Sequence, residues 1–170
     1  DLAQEKRCWF FRSGLPCYKN AGPTAPCFAV LGDNRHHSIM GARRCAAPCP
    51  ADLAPMLAAL DAIVVVASTR GLRRIGMEAF YIWSGRTSVQ ADEVILRIEV
   101  PVCAASSQAF EKFGLRQGDF AEASAAVRLR WNEDDLIDAR IALGGVAPLP
   151  MRAVETERYL LHHWRSTDGI

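Results

Sequence analysis

Lysine is scarce in this 170-residue chain: Lys6, Lys19 and Lys112 are the whole supply, and arginine carries the remaining basic charge. The net charge is +1 and the arginines are scattered, so no basic stripe for a polyanion such as nucleic acid stands out. No run of 18 apolar residues occurs, which leaves no membrane-crossing helix. No internal repeat or low-complexity tract is present. No cysteine pair has the Cys-x-x-Cys spacing of a zinc knuckle, which weakens a zinc ribbon or finger. Six cysteines in 170 residues are too few for a disulfide-dense scaffold. No nucleophile–base pair for hydrolysis can be picked out.

What the chain does have is a biased distribution. Half of its residues are hydrophobic, enough for a core. Five of the six cysteines, Cys8, Cys17, Cys27, Cys45 and Cys49, fall in the first 49 residues. The stretch 8–49 is interrupted by prolines and glycines and shows little strand or helix character apart from Ala29-Val30-Leu31. A loop of that length inside a compact domain needs something to hold it. Four thiolates closing on one inorganic centre would do so. Spacing alone leaves three readings open: an iron–sulfur cluster wrapped by the loop, zinc, and free or paired cysteines.

Beyond the loop the chain reads as α+β. Asp52 predicts a helix cap, with Leu53, Met56, Leu57 and Leu60 forming one apolar face behind it. Ile63 to Val66 predicts a buried strand and Leu72 to Ile75 its partner. Met77 to Ile82 predicts one helical turn, and Ser84 to Gln90 a loop. In Glu93 to Val100, Leu96, Ile98 and Val100 point one way and Arg97 and Glu99 the other, and Pro101 ends the strand. A second part begins after 101–107. Gln108 to Leu115 predicts a strand, and Asp119 with Glu122 a capping box. Val127 to Trp131 and Ile137 to Leu143 predict a hairpin with one solvated face. Val154 to Trp164 predicts a helix with Leu160, Leu161 and Trp164 on its apolar side.

Several segments, taken in order, carry a family resemblance. They are CWFFRSG at 8–14, GDNRHHSIMG at 32–41, DLAPMLAALDA at 52–62, AFEKFGLRQGDFAEASAAVRLR at 109–130 and DARIALGGVAPLPMRAV at 138–154. Together they resemble the FAD-binding (flavoprotein) subunit of molybdenum hydroxylases, the xanthine dehydrogenase/aldehyde oxidoreductase family. The similar branch is the periplasmic aldehyde oxidoreductase and 4-hydroxybenzoyl-CoA reductase type, whose flavoprotein has a loop for an extra four-iron–four-sulfur (4Fe-4S) cluster. The resemblance implies the second half of a PCMH-type FAD-binding domain over 1–101, with the iron–sulfur loop at 8–49. It implies a CO-dehydrogenase-flavoprotein-like C-terminal domain, an antiparallel sheet plus helices, over 107–170. Asp1-Leu2 resembles the tail of the family's Gly-Gly-Asn-Leu-like turn, and no Gly-rich pyrophosphate loop follows. The expectation is therefore an N-terminal FAD-binding half upstream that shares the FAD with this chain.

The resemblance also implies residue roles. Cys8, Cys17, Cys27 and Cys45 match the cluster ligands, leaving Cys49 as a spare thiol that is able to replace Cys45, and Cys103 as structural. Asp52, Ile95 and Lys112 match positions beside FAD. Trp9, Phe10 and Phe11 would shield the cluster from water. His36 and His37 read as solvated or hydrogen-bonded loop residues, with tuning or ligation of the cluster as the alternative, and His162 and His163 as helix-end cations. The implied function is electron transfer from iron–sulfur centres to FAD and an external acceptor. The implied substrate is an aldehyde or heteroaromatic, oxidised on a molybdopterin-binding large subunit that carries the molybdenum cofactor. A small subunit would carry 2Fe-2S clusters. The implied compartment is the cytoplasm, or the periplasm after export as a folded complex. The competing reading is a stand-alone scaffold or interaction module stabilised by zinc or an iron–sulfur cluster, without a redox role.

Overall fold

The computed structural model describes residues 1–4 and 6–165. Three single-turn helices come first: α1 (Trp9–Arg12), α2 (Tyr18–Ala21) and α3 (Phe28–Leu31). The longer α4 (Leu53–Ala59) leads into β1 (Ile63–Ser68), β2 (Gly71–Gly76) and the turn α5 (Met77–Phe80). Then come β3 (Tyr81–Trp83), β4 (Arg86–Thr87) and β5 (Val94–Glu99). The remainder holds β6 (Ser106–Phe113), β7 (Ala123–Asn132), β8 (Asp135–Gly144), β9 (Met151–Arg152) and α6 (Val154–His163). The class is α+β as expected, and all the strand pairings are antiparallel. The sheets have orders β2-β1-β5, β3-β4 and β6-β7-β8-β9.

Helix α4 joins the two main sheets. Its Ala54 and Leu57 pack with Val64, Val66, Ile75 and Phe80 of the first core. Its Ala59, with Met56 and Ala58, packs against Ala126 and Ala142 of the second sheet. Small residues permit this approach from both sides. At Gly144 on β8, an added Cβ would lie 2.8 Å from Cγ of Pro55 and 2.5 Å from Oγ of Ser124. The single apolar stripe expected from Leu53, Met56, Leu57 and Leu60 is therefore corrected. Leu53 is exposed, and the buried residues are Ala54, Pro55, Leu57 and Ala59.

The second sheet buries charge where a solvated face was expected. The inward row of β7 is Ser124, Ala126 and Arg128, while Val127, Leu129 and Trp131 are only half-buried. Arg128 donates to Asp138 at 2.5 Å and lies 3.3 Å from Asp61, just beyond α4. Arg140 reaches the same Asp61 at 2.9 Å. Two arginines thus converge on the carboxylate at the end of α4, which sequence alternation cannot show. Helix α6 packs on β8, where Glu157 is buried, accepting from Ile141 N–H at 2.7 Å and from Arg152 at 2.6 Å twice.

Other differences are local. Arg86–Thr87 pairs with Tyr81–Trp83, making a hairpin where a loop was expected. Strand β6 starts at Ser106 rather than Gln108, and β7 and β8 run longer than expected. Asp119 caps no helix; its segment is a turn, and Glu122 points to other partners. On β5 the register shifts between Val65 and Val66, whose partners are Arg97 and Ile95. Leu96 is the extra residue of this bulge, so the alternation breaks there. Leu96 is 53% exposed, Ile95 38%, and only Ile98 packs on the core.

Glu157 sets a stability prediction. Burial pushes its carboxyl upward, but the bonds from Arg152 and Ile141 N–H prevail and hold its pKa below the usual value. A depressed folded value gives stability that is complete above the unfolded value near ~4.3 and is lost as pH falls through the folded value. Glu157→Ala should cost about 2–3 kcal/mol in urea unfolding at neutral pH, as expected for buried bonds to charged groups. The gap from wild type should narrow as the pH drops from about 5 towards 3.

Candidate functional site

The first 49 residues are not structureless. Each of the single-turn helices begins immediately after a cysteine: Cys8 precedes α1, Cys17 precedes α2 and Cys27 precedes α3. One turn of helix after each thiol turns free backbone amides back towards that end. These three cysteines and Cys45 line one pocket, walled by Phe10, Phe11, Phe28 and Ala29. All six cysteines are free thiols. Burial raises the Cys8 pKa, while the amides of Phe11 and Phe10 pull the other way. Among the described residues, no three His, Cys, Asp or Glu side chains gather tightly enough to hold a single metal ion.

Aromatic packing closes the pocket. Phe10 is buried, stacks on Trp9 at 3.7 Å and lies 5.9 Å from Phe28. Trp9 itself is largely exposed, so the shielding expected of Trp9, Phe10 and Phe11 falls mostly to Phe10 and Phe28. Lys6 is buried, with its Nζ 4.0 Å above the Phe11 ring.

Distant segments brace the loop. Ser38 N–H donates to Ala46 O, Ile39 and Met40 N–H to Val146 O, and Cys49 N–H to Ala147 O. From the β3–β4 hairpin, Trp83 Nε1 donates to Tyr18 Oη at 3.2 Å, and Lys19 Nζ donates to Ser84 O. Ser84 is fully buried, with Oγ 3.2 Å from Cys45 Sγ. His37 is also buried, with Nε2 3.3 Å from Cys8 Sγ. His36, by contrast, is exposed and meets Glu122 at 3.1 Å. Cys49 is buried outside the pocket and Cys103 lies near Arg128.

A charged group stands beside this pocket. Lys112 Nζ donates to Asp52 at 2.6 Å, which brings together two residues expected near FAD. The helix-cap role expected of Asp52 is corrected. Its own side chain makes no cap bond; Asp1 accepts from Leu53 N–H at 3.0 Å and from Asp52 N–H at 3.4 Å. Arg7, next to Cys8, lies 3.7 Å from Glu122 with its side chain 10% exposed, and the charges of Glu122 and Asp52 both act on it. Ile95 belongs to the other sheet, at the β5 bulge, and is not part of this group. Sequence reasoning missed Arg7, Ser84 and Glu122. Nothing in the sequence links Ser84 to Cys45, 39 residues away.

Residues 37–103 match the family described as the FAD binding domain in molybdopterin dehydrogenase. Residues 108–165 match the CO dehydrogenase flavoprotein C-terminal domain. The chain carries CO dehydrogenase flavoprotein-like FAD-binding and C-terminal domains. It is 31% identical over 160 residues to the aldehyde oxidoreductase FAD-binding subunit PaoB of Escherichia coli, covering 89% of this chain and 49% of that one. It is 32% identical over 110 residues to the glyceraldehyde dehydrogenase medium chain of Sulfolobus acidocaldarius, covering 65% and 39%. A solved carbon monoxide dehydrogenase from Hydrogenophaga pseudoflava superposes with a TM-score of 0.62 at 27% identity, covering 91% of this chain and 53% of that one. The chain thus spans about half the length, or less, of these curated relatives. The FAD-binding match begins at His37, so Cys8, Cys17 and Cys27 lie outside it.

The cap assignment is testable by thermal or urea unfolding. Asp1→Ala should lose about 1 kcal/mol, the usual value of an N-terminal helix cap. Asp52→Asn should lose less. The coupling between Asp52→Asn and Lys112→Met should stay below about 1 kcal/mol, since the pair is partly exposed.

Proposed function

We propose that the chain is the electron-transfer FAD/iron–sulfur part of a molybdenum-containing hydroxylase acting on aldehydes or heteroaromatics. The observation that carries this reading is the convergence of Cys8, Cys17, Cys27 and Cys45, far apart in sequence, on one aromatic-walled pocket. Four thiolates lining one pocket are the ligand set that a 4Fe-4S core takes. The names of the relatives, an aldehyde oxidoreductase and a glyceraldehyde dehydrogenase among them, support the substrate class.

When bound, the cluster and FAD would supply one- and two-electron redox capacity. The chain's own residues do the rest. Cys8, Cys17, Cys27 and Cys45 hold the cluster, and Phe10 and Phe28 keep water from it. Asp52 and Lys112 offer a carboxylate and a cation to the flavin, and Ile95 an apolar contact from the β5 bulge. Arg7, next in sequence to Cys8, pairs with Glu122 and feels the charge of Asp52, which links the cysteine segment to the flavin pair. The FAD would be shared with a Gly-rich N-terminal half. A molybdopterin-binding large subunit and a 2Fe-2S small subunit would complete the electron path. The compartment would be the cytoplasm, or the periplasm after export as a folded complex.

Single serine replacements at Cys8, Cys17, Cys27 and Cys45 should each lose iron and acid-labile sulfide, while Cys49→Ser and Cys103→Ser keep both. Full iron in Cys17→Ser overturns the ligand set. Lys112→Met should weaken FAD retention or lower the flavin potential without changing the iron content. A favourable cation is then missing beside the negative reduced flavin.

A further inference from the structure

Ser84 and His37 lie within hydrogen-bond distance of Cys45 and Cys8, and Tyr18 also interacts with Cys45. Ser84 Oγ lies 3.2 Å from Cys45 Sγ and 3.4 Å from Ala47 O. A hydroxyl has one proton to give, and in the free thiol either partner is able to donate. Metal coordination removes the Cys45 proton. The sulfur then becomes an acceptor only, and a charged one, so the serine proton goes to it in preference to the longer, neutral carbonyl contact.

His37 follows the same logic. Its Nε2 lies 3.3 Å from Cys8 Sγ, and its Nδ1 is buried without a hydrogen-bond partner. Against a thiolate, the neutral ring must carry its proton on Nε2, which leaves only a lone pair on Nδ1. The ring lies 5.9 Å from that of Phe10, and the backbone N–H of His37 donates to Asn34 O, which fixes the residue in the loop. Ser84 is held by the β3–β4 hairpin through the bonds from Lys19 to Ser84 O and from Trp83 to Tyr18. Ser84, Cys45 and His37 are buried, while Cys8 is half-buried.

We propose that Ser84 and His37 are positioning residues that donate hydrogen bonds to the cluster sulfurs of Cys45 and Cys8, raising the cluster's reduction potential and slowing its loss. This rests on the cluster reading above. Reduction adds negative charge, part of which spreads onto the cysteine sulfurs. A donor aimed at such a sulfur therefore stabilises the reduced state more than the oxidised one. Because one donor comes from the loop and the other from the first sheet's hairpin, the pocket's redox tuning depends on the fold beyond the cysteine segment.

The test uses the protein as its host makes it, purified without oxygen. The variants are Ser84→Ala, Ser84→Thr, His37→Phe and His37→Gln. Three quantities are read: iron and sulfide per chain, the midpoint of the cluster by EPR-monitored titration at fixed pH, and the decay of its ~400 nm absorbance in chelator. Ser84→Ala and His37→Phe should each shift the reduced-to-oxidised ratio about tenfold towards oxidised, a fall of roughly 59 mV for one electron. Both should lose the cluster faster in chelator. Ser84→Thr and His37→Gln keep a donor and should stay near wild type. Midpoints unmoved in Ser84→Ala and His37→Phe at full iron overturn this inference alone. No iron or sulfide in wild type removes the cluster reading, and this inference with it. If Ser84→Ala sheds its cluster on purification, Ser84→Thr decides: retention supports the donor role, and equal loss overturns it.

Discussion

Helix α4 is seven residues long, and both main sheets pack on it. That close approach constrains everything around it. It demands alanine at the contacts and glycine at position 144, because a larger residue would strike Pro55 or Ser124. It places Asp52 at one end of the helix, opposite Lys112 on the edge strand of the second sheet. At the other end it places Asp61 against Arg128 and Arg140. Close packing of this kind tolerates little change in volume, so the spacing of the two sheets is fixed to within small shifts. The cysteine segment is pinned across the same seam, since residues 38–49 bond to 146–147 while residues 18–19 and 45 meet the 81–84 hairpin.

The strand pattern was legible where one physical cause dominated. Ile63 to Val66, an unbroken β-branched run, is the central strand of its sheet and is largely buried. Alternation failed where a second effect intervened. On β5 a single extra residue reverses which side chains face inward. On β7 the inward positions hold Arg128 because Asp61 and Asp138 neutralise it, and hydrophobicity alone gives no hint of such pairing. The four pocket cysteines were legible through their segment's resemblance. The one-turn helices behind three of them were not, because four residues are too few for a periodic signal.

Partners across long sequence gaps stayed hidden for the same reason. Asp1 rather than Asp52 caps α4, and Ser84 rather than a loop residue meets Cys45. Each is a polar residue of ordinary type in an unremarkable stretch, and only the tertiary approach gives it a role. His37 differs from His36 by one position, yet one is buried against sulfur and the other lies in solvent beside Glu122. No composition rule separates such neighbours.

Val94, Ile95 and Leu96 are exposed around the bulge, and β5 lies at the rim of its sheet. Its outer backbone groups are a template for another strand, and its charged residues, Arg97 and Glu99, sit only towards its end. Val100 is exposed as well, and Val102 almost completely. Handled by itself at high concentration, the protein would therefore present a sticky rim inviting edge-to-edge self-association, and charge placed at 94 or 96 would be the natural remedy for its solubility.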